Sequence, residues 1–366
     1  MADAGADVMS RRITVQGLWN PSAPAAQDLL RRLVAVQAQE FAYALWGVSQ
    51  RVAGHPDRQE MLRAFDRGDL LRTHLLRPTW HFAAPQDVRW LLRLTAPRLR
   101  RQMASYSRQY GIDPDVRARC AAILAAAVQD GHHRTRRELA AALEDGGVPA
   151  GDGRISFLLM HAEYDEVLIS GAMSGRQQTY AAFDERVPPG PDLDEDAALS
   201  TLARRYVATR GPVTAKDFAS WAGLPLGQVR RALAAIEKDC EVTDLDGRTM
   251  WSVRAAPPPA SSARGPVVDL LQGFDELIMS YSESRVLLAP KGVLPVADHA
   301  TYAHALLIDG ALAGHWRHRI GTVAAVVEVQ VRRPINDAER AGIAGAVQRY
   351  GRYLGLAATM AEPVLL

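Results

Sequence analysis

Two glutamines flank a single alanine, Gln37-Ala38-Gln39, inside an otherwise mostly apolar stretch, LVAVQAQEFAYALWGV. A carboxamide can accept a hydrogen bond and so orient a water, but it takes up no proton near neutral pH and is a poor general base. The pair directly follows an amphipathic segment. On a continuous helix, side chains two residues apart point about 200° from each other. Both glutamines can therefore serve one site only if the helix ends or kinks at this point. On spacing alone the plainer reading is preferred, namely helix-end glutamines bonded to backbone.

Other chemistry is sparse. The chain has 366 residues and three lysines, Lys216, Lys238 and Lys291, among 43 basic residues. A Schiff-base mechanism thus has few candidate nucleophiles. There is no Gly-x-x-x-x-Gly-Lys-[Ser/Thr] phosphate loop, no His-Glu-x-x-His, no Gly-x-Ser-x-Gly, and no His-x-Glu paired with Pro-Cys-x-x-Cys. His132-His133 falls in a polar turn, and His315 and His318 flank Trp316 in a turn or strand; both pairs read as structural. Cys120 and Cys240 stand 120 residues apart, without zinc spacing or a disulfide framework, which fits a reducing cytoplasm. No secretory leader is visible and no run of 18 apolar residues exists, so neither export nor a membrane span is expected. No cofactor or metal is expected either.

The elements around the glutamines repeat an order. Residues 22–36 read as an amphipathic helix carrying Leu29, Leu30, Leu33, Val34 and Val36, and Arg58–Phe65 as another, stopped near Gly68. Leu70–Ala83 then reads as two short extended pieces hinged at Pro78. Thr135 and Glu138 form a capping box opening a short helix. A second helix is predicted over Arg154–Ile169, with a strand over Gln178–Phe183. Thr214, with Asp217 at the third helical position, caps Ala215–Trp221; Leu226–Glu237 follows after Gly223-Leu-Pro225. Val242–Leu245, Asp246-Gly247 and Thr249–Val253 then read as a hairpin. Helices followed by a strand pair is the winged-helix order. Val187–Asp196 and Arg254–Pro266 read as linkers. Thr322–Arg332 alternates Val327, Val329 and Val331 with polar residues, and Asn336 and Glu339 cap a helix ending near Leu354.

The expectation is a mainly α protein with small β-wings. Three tandem winged-helix motifs, at 1–110, 111–190 and 191–256, precede a mixed, β-barrel-like module at 257–366. Charge is uneven across these modules. Residues 1–110 hold 16 basic and 9 acidic residues, a balance of +7, against −4 for 111–190, −2 for 191–250 and +1 for 251–366. Such a bias suits a phosphate-contacting surface, and equally suits solvated helix faces.

Three segments together resemble the winged-helix DNA glycosylases, and within them the AlkZ-type branch: Leu33–Val52, Arg72–Asp87 and Gly273–Tyr281. Gln37-Ala38-Gln39 matches the family's Gln–apolar–Gln signature, in register with Thr79-Trp80-His81 and Gly273-Phe274-Asp275-Glu276. Pro78 departs from the glycine expected before Thr-x-His. The resemblance implies three winged helices in a concave arrangement holding duplex DNA, closed by the C-terminal barrel. It implies excision of N7-alkylated guanine, including azinomycin-type interstrand crosslinks, with Gln37 and Gln39 catalytic. It also makes double-stranded DNA the partner and a monomer the expected state. Arg31, Arg32, Arg72, Arg77 and Arg101 are candidates for phosphate contacts, although each alone reads more readily as simple surface charge. Thr79 and His81 complete the expected DNA-binding set; Trp80 reads equally as core.

Alkylation at guanine N7 makes the base a cation that leaves neutral and needs no proton. What remains is to orient water against an oxocarbenium-like sugar, which an amide can do. Strand nicking is not expected, given so few lysines. Two other readings compete: a transcriptional regulator, for which Leu226–Glu237 offers Gln228, Arg230 and Arg231, and a DNA-bridging protein that releases no base.

Overall fold

The computed structural model describes residues 2–151, 153–254, 265–289 and 304–366. Most of the expected linker Arg254–Pro266, and Lys291, lie outside the described residues. The chain divides into two compact units, Met1–Met61 with Ser200–Leu366, and Leu62–Leu199.

In the unit Leu62–Leu199, Leu71–Leu75 and Thr79–Ala83 pair antiparallel with Leu75 opposite Thr79, so the chain turns at Leu76-Arg77-Pro78. The expected hinge is therefore a hairpin turn. Helix Pro85–Gln102 follows, with Pro85 in its first turn, where a missing N–H costs nothing. Asp113 caps Pro114–Val128, and the Thr135–Glu138 box closes reciprocally over Arg136–Asp145. The helix predicted to reach Ile169 ends at Tyr164. Glu166 takes a positive φ of 56°, and Leu168–Ser170 leaves as a strand. That strand and Arg134–Thr135 both flank Thr179–Ala182 in a three-stranded sheet. Leu168 and Ile169 are fully buried there, a burial that ranks above the helical periodicity preceding them. Ile155, Leu158, Leu159 and Ala162 pack on Leu124, Leu139 and Leu143 as the core of this region.

In the other unit, the Thr214–Asp217 capping box opens Ala215–Ala222, Gly223 ends it in the left-handed conformation, and Leu226–Ala235 follows. Strands Cys240–Leu245 and Arg248–Val253 form the expected hairpin. Its turn residues Asp246 and Gly247 have φ of 52° and 75°, as a type I′ turn requires. The C-terminal part is a six-stranded sheet curled into a half-barrel. Val268–Leu270, Ala305–Ile308, Ala311–Ile320 and Ala324–Val331 run antiparallel; Ala357–Met360 and Val364–Leu365 add parallel to Ala324–Val331. Val327, Val329 and Val331 face inward as their alternation predicts. Gly314 makes the curl possible, since a Cβ there would stand 1.9 Å from the Gln330 carbonyl oxygen. Asn336 and Glu339 cap helix Asp337–Leu354 reciprocally. The protein is thus largely helical, with small paired strands and a mixed α/β C-terminal part. Among the described residues, no helix is long and apolar enough to cross a membrane.

Candidate active site around Gln37 and Gln39

The helix expected over 22–36 spans only Ala26–Leu33. It buries Ala26, Leu29, Leu30 and Leu33, and stops because Val34 adopts φ 69°, ψ −60°. A positive φ in a β-branched residue is costly, of order 1–3 kcal/mol, and persists only where surroundings over-determine it. Past Val34 the chain is extended, as strand Ala35–Gln37. The helix therefore does end before the glutamine pair. The two amides sit at different depths: Gln37 is 2% exposed, whereas Gln39 lies on the surface.

A buried ion pair holds this strained segment. Arg210, at the end of helix Glu195–Arg210, donates to the carbonyls of Leu33 (2.9 Å) and Ala35 (3.0 Å), on either side of Val34. It also binds the Glu276 carboxylate, Nη2 to Oε2 at 2.6 Å and Nε to Oε2 at 3.2 Å, and donates to the Ser280 and Thr209 hydroxyls at 2.8 and 2.9 Å. Glu276 Oε1 in turn accepts the backbone N–H of Gln37 at 3.0 Å. The Trp221 indole and the Ser280 hydroxyl donate to Oε2 at 2.9 and 2.8 Å. Arg210 and Glu276 are 0% and 1% exposed. Burial alone would raise the Glu276 carboxyl. The Arg210 charge and these hydrogen bonds outweigh it and hold the group below its ordinary value, so it stays ionised. Gln272 Nε2 donates to the Gln37 carbonyl at 3.3 Å. Both backbone polar groups of Gln37 are thus fixed from the 272–276 segment. Next to Glu276, Asp275 caps helix Glu276–Met279 and receives both terminal nitrogens of buried Arg51, at 2.6 and 3.1 Å.

Beyond Gln39 the chain meets the half-barrel. Glu40 pairs with His304 Nε2 at 2.6 Å, and Tyr43 stacks on His318, whose Nδ1 lies 2.7 Å from the Tyr350 hydroxyl. Burial pushes the Tyr43 phenol up to about 12, with the Glu40 charge adding to it. Glu40, His304, Trp316, Arg317 and Glu328 line an open cleft of about 560 Å³.

The remaining predicted residues are placed as follows. Arg31 and Arg32 are exposed on helix Ala26–Leu33; Arg32 donates to the Ser22 hydroxyl at 3.1 Å, and the Arg31 carbonyl accepts from Arg205. Arg101 is exposed in the last turn of its helix. Arg77 is half-buried in the hairpin turn. Arg72 is interior, at 7% exposure: its guanidinium stacks 4.2 Å over the Trp80 ring and donates to Gln178. Burial lowers it to about 10. Thr79 and His81 lie two apart on one strand and so turn to the same face. His81 is fully buried, with Nδ1 2.8 Å from the Thr79 carbonyl. Lys216 pairs with Glu283 at 2.5 Å, and Lys238 is exposed. Arg210 and Trp221 carry no sequence signal toward this site: they stand 170 or more residues from the glutamines, whereas Gln272 directly precedes the Gly273–Tyr281 segment of the resemblance. Glu276 alone was marked, within its Gly-Phe-Asp-Glu segment.

Comparison with known proteins places the chain in a family. Residues 30–353 match the family described as DNA glycosylase AlkZ-like. A Streptomyces sahachiroi protein named interstrand DNA cross-link repair glycosylase is 26% identical over 350 residues, covering 91% of each chain. The solved structure of the Streptomyces sahachiroi DNA glycosylase AlkZ superposes with a TM-score of 0.75 at 22% identity, over 97% of this chain and 99% of that one. The regulator reading gains no support from these matches. On the family match, which spans most of its length, the chain belongs to the AlkZ-like DNA glycosylases.

Proposed function

We propose that this glycosylase hydrolyses the N-glycosidic bond of N7-alkylated guanine in duplex DNA, including guanine crosslinked to the opposite strand by azinomycin-type agents. The relative named for interstrand cross-link repair supports the crosslink part of this reading. Gln37 and Gln39 carry the reaction. The observation that bears most weight is the clamp: Arg210 and Glu276 hold the backbone around Val34 out of the helix and fix the Gln37 peptide.

The chemistry follows from the leaving group. An N7-alkylguanine departs neutral, so no general acid is needed. The carboxamide oxygens accept hydrogen bonds from one water and aim it at C1′, their partial negative charge favours the oxocarbenium-like sugar, and the proton that the added water sheds passes to solvent. Positioning of this kind supplies several kcal/mol. An amide cannot deprotonate the water, so an uncharged base, a poorer leaving group, reacts slowly. The weak pair therefore contributes to selectivity for cationic lesions. A crosslinked guanine is tethered and cannot swing into a deep pocket, so the site must be shallow and tolerate bulk in the major groove.

In this reading the elements at 1–110, 111–190 and 191–256 act as three winged helices in a concave arrangement on the duplex, followed by the module 257–366, and the protein acts as a monomer without cofactor. Arg31, Arg32, Arg77 and Arg101 are phosphate contacts, and Thr79 and His81 support the site. Arg72 acts from within, by holding Trp80 in the hairpin. The test is release of 7-methylguanine from alkylated duplex DNA under single turnover, followed by mild alkali to reveal abasic sites. Gln37→Ala and Gln39→Ala should each slow release; wild-type rates in both would end the assignment. Borohydride trapping should yield no covalent DNA adduct at Lys216, Lys238 or Lys291.

A further inference from the structure

The unit that carries Gln37 holds a second cavity, of about 250 Å³, lined by residues that the glycosylase reaction does not use. Its floor is buried: Trp46 and Tyr353 are each 4% exposed, Asp269 6% and Gln50 8%. The Trp46 and Tyr353 rings meet at 5.0 Å between centroids, tilted by 50°, and form an aromatic corner. The Trp46 indole is already satisfied by the Leu270 carbonyl at 2.7 Å. Two polar atoms sealed behind the floor, Gln50 Oε1 and the Tyr353 hydroxyl, have no hydrogen-bond partner among the described residues. Trp19 donates to Asp269 Oδ2 at 3.0 Å, which leaves Oδ1 for another donor. The rim is opposite in character: His55 and Arg352 are exposed around the mouth, and Arg349 joins them with its guanidinium donating to the Val268 carbonyl at 2.6 Å.

We infer that this cavity is a binding site for a guanine nucleotide. The volume suits one nucleobase, being just below the range of about 300–1,000 Å³ usual for drug-sized ligands. The Asp269 carboxylate in the floor requires a base that presents donors. Guanine offers N1–H and the exocyclic amine side by side, matching a carboxylate. Adenine sets an acceptor, N1, beside its amine and would oppose Asp269. Burial raises the Asp269 carboxyl to about 6, so it is still ionised at pH 7.5. Trp46 and Tyr353 pack on the base, and the cationic rim meets the phosphate. The nucleotide comes either from the free pool or from an extrahelical guanine at a DNA strand end.

Titration calorimetry on the full chain separates these sources. One arm uses GMP, AMP, CMP and guanosine. The other uses duplexes with a single unpaired, 5′-phosphorylated guanine or cytosine overhang. GMP, or the guanine overhang, should bind at least about tenfold more tightly than its adenine or cytosine counterpart. Whichever arm discriminates identifies the source. Asp269→Asn keeps the acceptor for Trp19 but offers an amide donor, so it should weaken GMP at least about tenfold and favour xanthosine monophosphate, whose C2 carries an oxygen. A merely structural role for Asp269 would not produce that gain. Arg349→Ala and Arg352→Ala should weaken GMP but not guanosine. Equal affinity for guanine and adenine ligands, no binding in either arm, or loss of GMP without gain of xanthosine monophosphate in Asp269→Asn overturns the inference. Because the readout is binding, its failure leaves the 7-methylguanine assay untouched, and the reverse holds as well.

Discussion

Replacing Glu276 by glutamine removes one charge and nearly no volume, yet it should both destabilise the protein and slow its chemistry. Glu276 Oε1 accepts from the Gln37 N–H, and Oε2 accepts from Arg210, Trp221 and Ser280. Every orientation of a glutamine amide turns its NH₂ toward a donor, either the Gln37 peptide or the Arg210 side. Arg210, 0% exposed, would then be left as an uncompensated buried cation. Breaking such a pair costs about 3–5 kcal/mol. The urea midpoint should fall accordingly. In the fraction that remains folded, the Gln37 peptide loses an anchor on one side, and a displacement of about 1 Å costs on the order of 10²-fold in rate. The control is Asp217→Asn. Asp217 is also a fully buried carboxylate, accepting from Ser282, Glu283 and Ser284, but among the described residues its partners do not include residues 33–37. It should lose stability and keep the single-turnover rate. Equal rate losses in the two variants, or a wild-type rate in Glu276→Gln, would refute the view that the ion pair positions the catalytic strand.

Gly314→Ala should destabilise by more than about 1–3 kcal/mol, because the new Cβ meets backbone at 1.9 Å rather than a movable side chain; an unchanged thermal midpoint would contradict the close strand crossing. Burial lowers His161 to about 4. The unfolded chain binds its proton from about pH 6.5 down, so stability should be full above pH 6.5 and fall toward pH 4, by up to about 3 kcal/mol. His161→Gln should remove that part of the acid limb in urea titrations. For Arg101→Gln, the slope of log affinity for undamaged duplex against log salt should become about one unit shallower, with sequence preference unaltered; an identical slope would take Arg101 off the phosphate surface.

Local signals in the sequence were legible and tertiary ones were not. The three capping boxes at Thr135, Thr214 and Asn336 and the Asp246-Gly247 turn are each written within four residues, and each forms as read. The helix over 22–36 was overextended because Val34 and Val36 continue the apolar periodicity; what stops it is a φ imposed by Arg210 from 176 residues away. Arg154–Ile169 failed similarly, since Leu168 and Ile169 are apolar in either conformation and only sheet pairing decides. Charge counting put Arg72 with the surface arginines, but a guanidinium stacked on an indole can be interior. The glutamine pair itself was visible. That one amide would be buried and the other exposed was not, because depth depends on the 272–276 segment packing behind the strand.

The clamp also accounts for why so polar an assembly stands where apolar packing would hold the chain as firmly. A buried ion pair adds little net stability over a well-packed hydrophobic substitute. Val34 adds strain, and the helix gives up the turns that would have carried it through residue 36. What the assembly supplies is direction. A helix end leaves carbonyls without partners, and those of Leu33 and Ala35 point into the interior, where only a donor of fixed geometry can meet both. A planar guanidinium does so, and the carboxylate that neutralises it reaches the next peptide N–H, that of Gln37. Apolar side chains could fill the volume but could not forbid the segment from winding back into helix, which would turn Gln37 and Gln39 about 200° apart. The Arg210–Glu276 pair therefore selects the extended path over the helical one. On that argument, substitutions at Arg210 should yield protein that is folded over most of its length and inert at the glycosidic bond, with hydrogen exchange faster at residues 34–39 before it changes elsewhere.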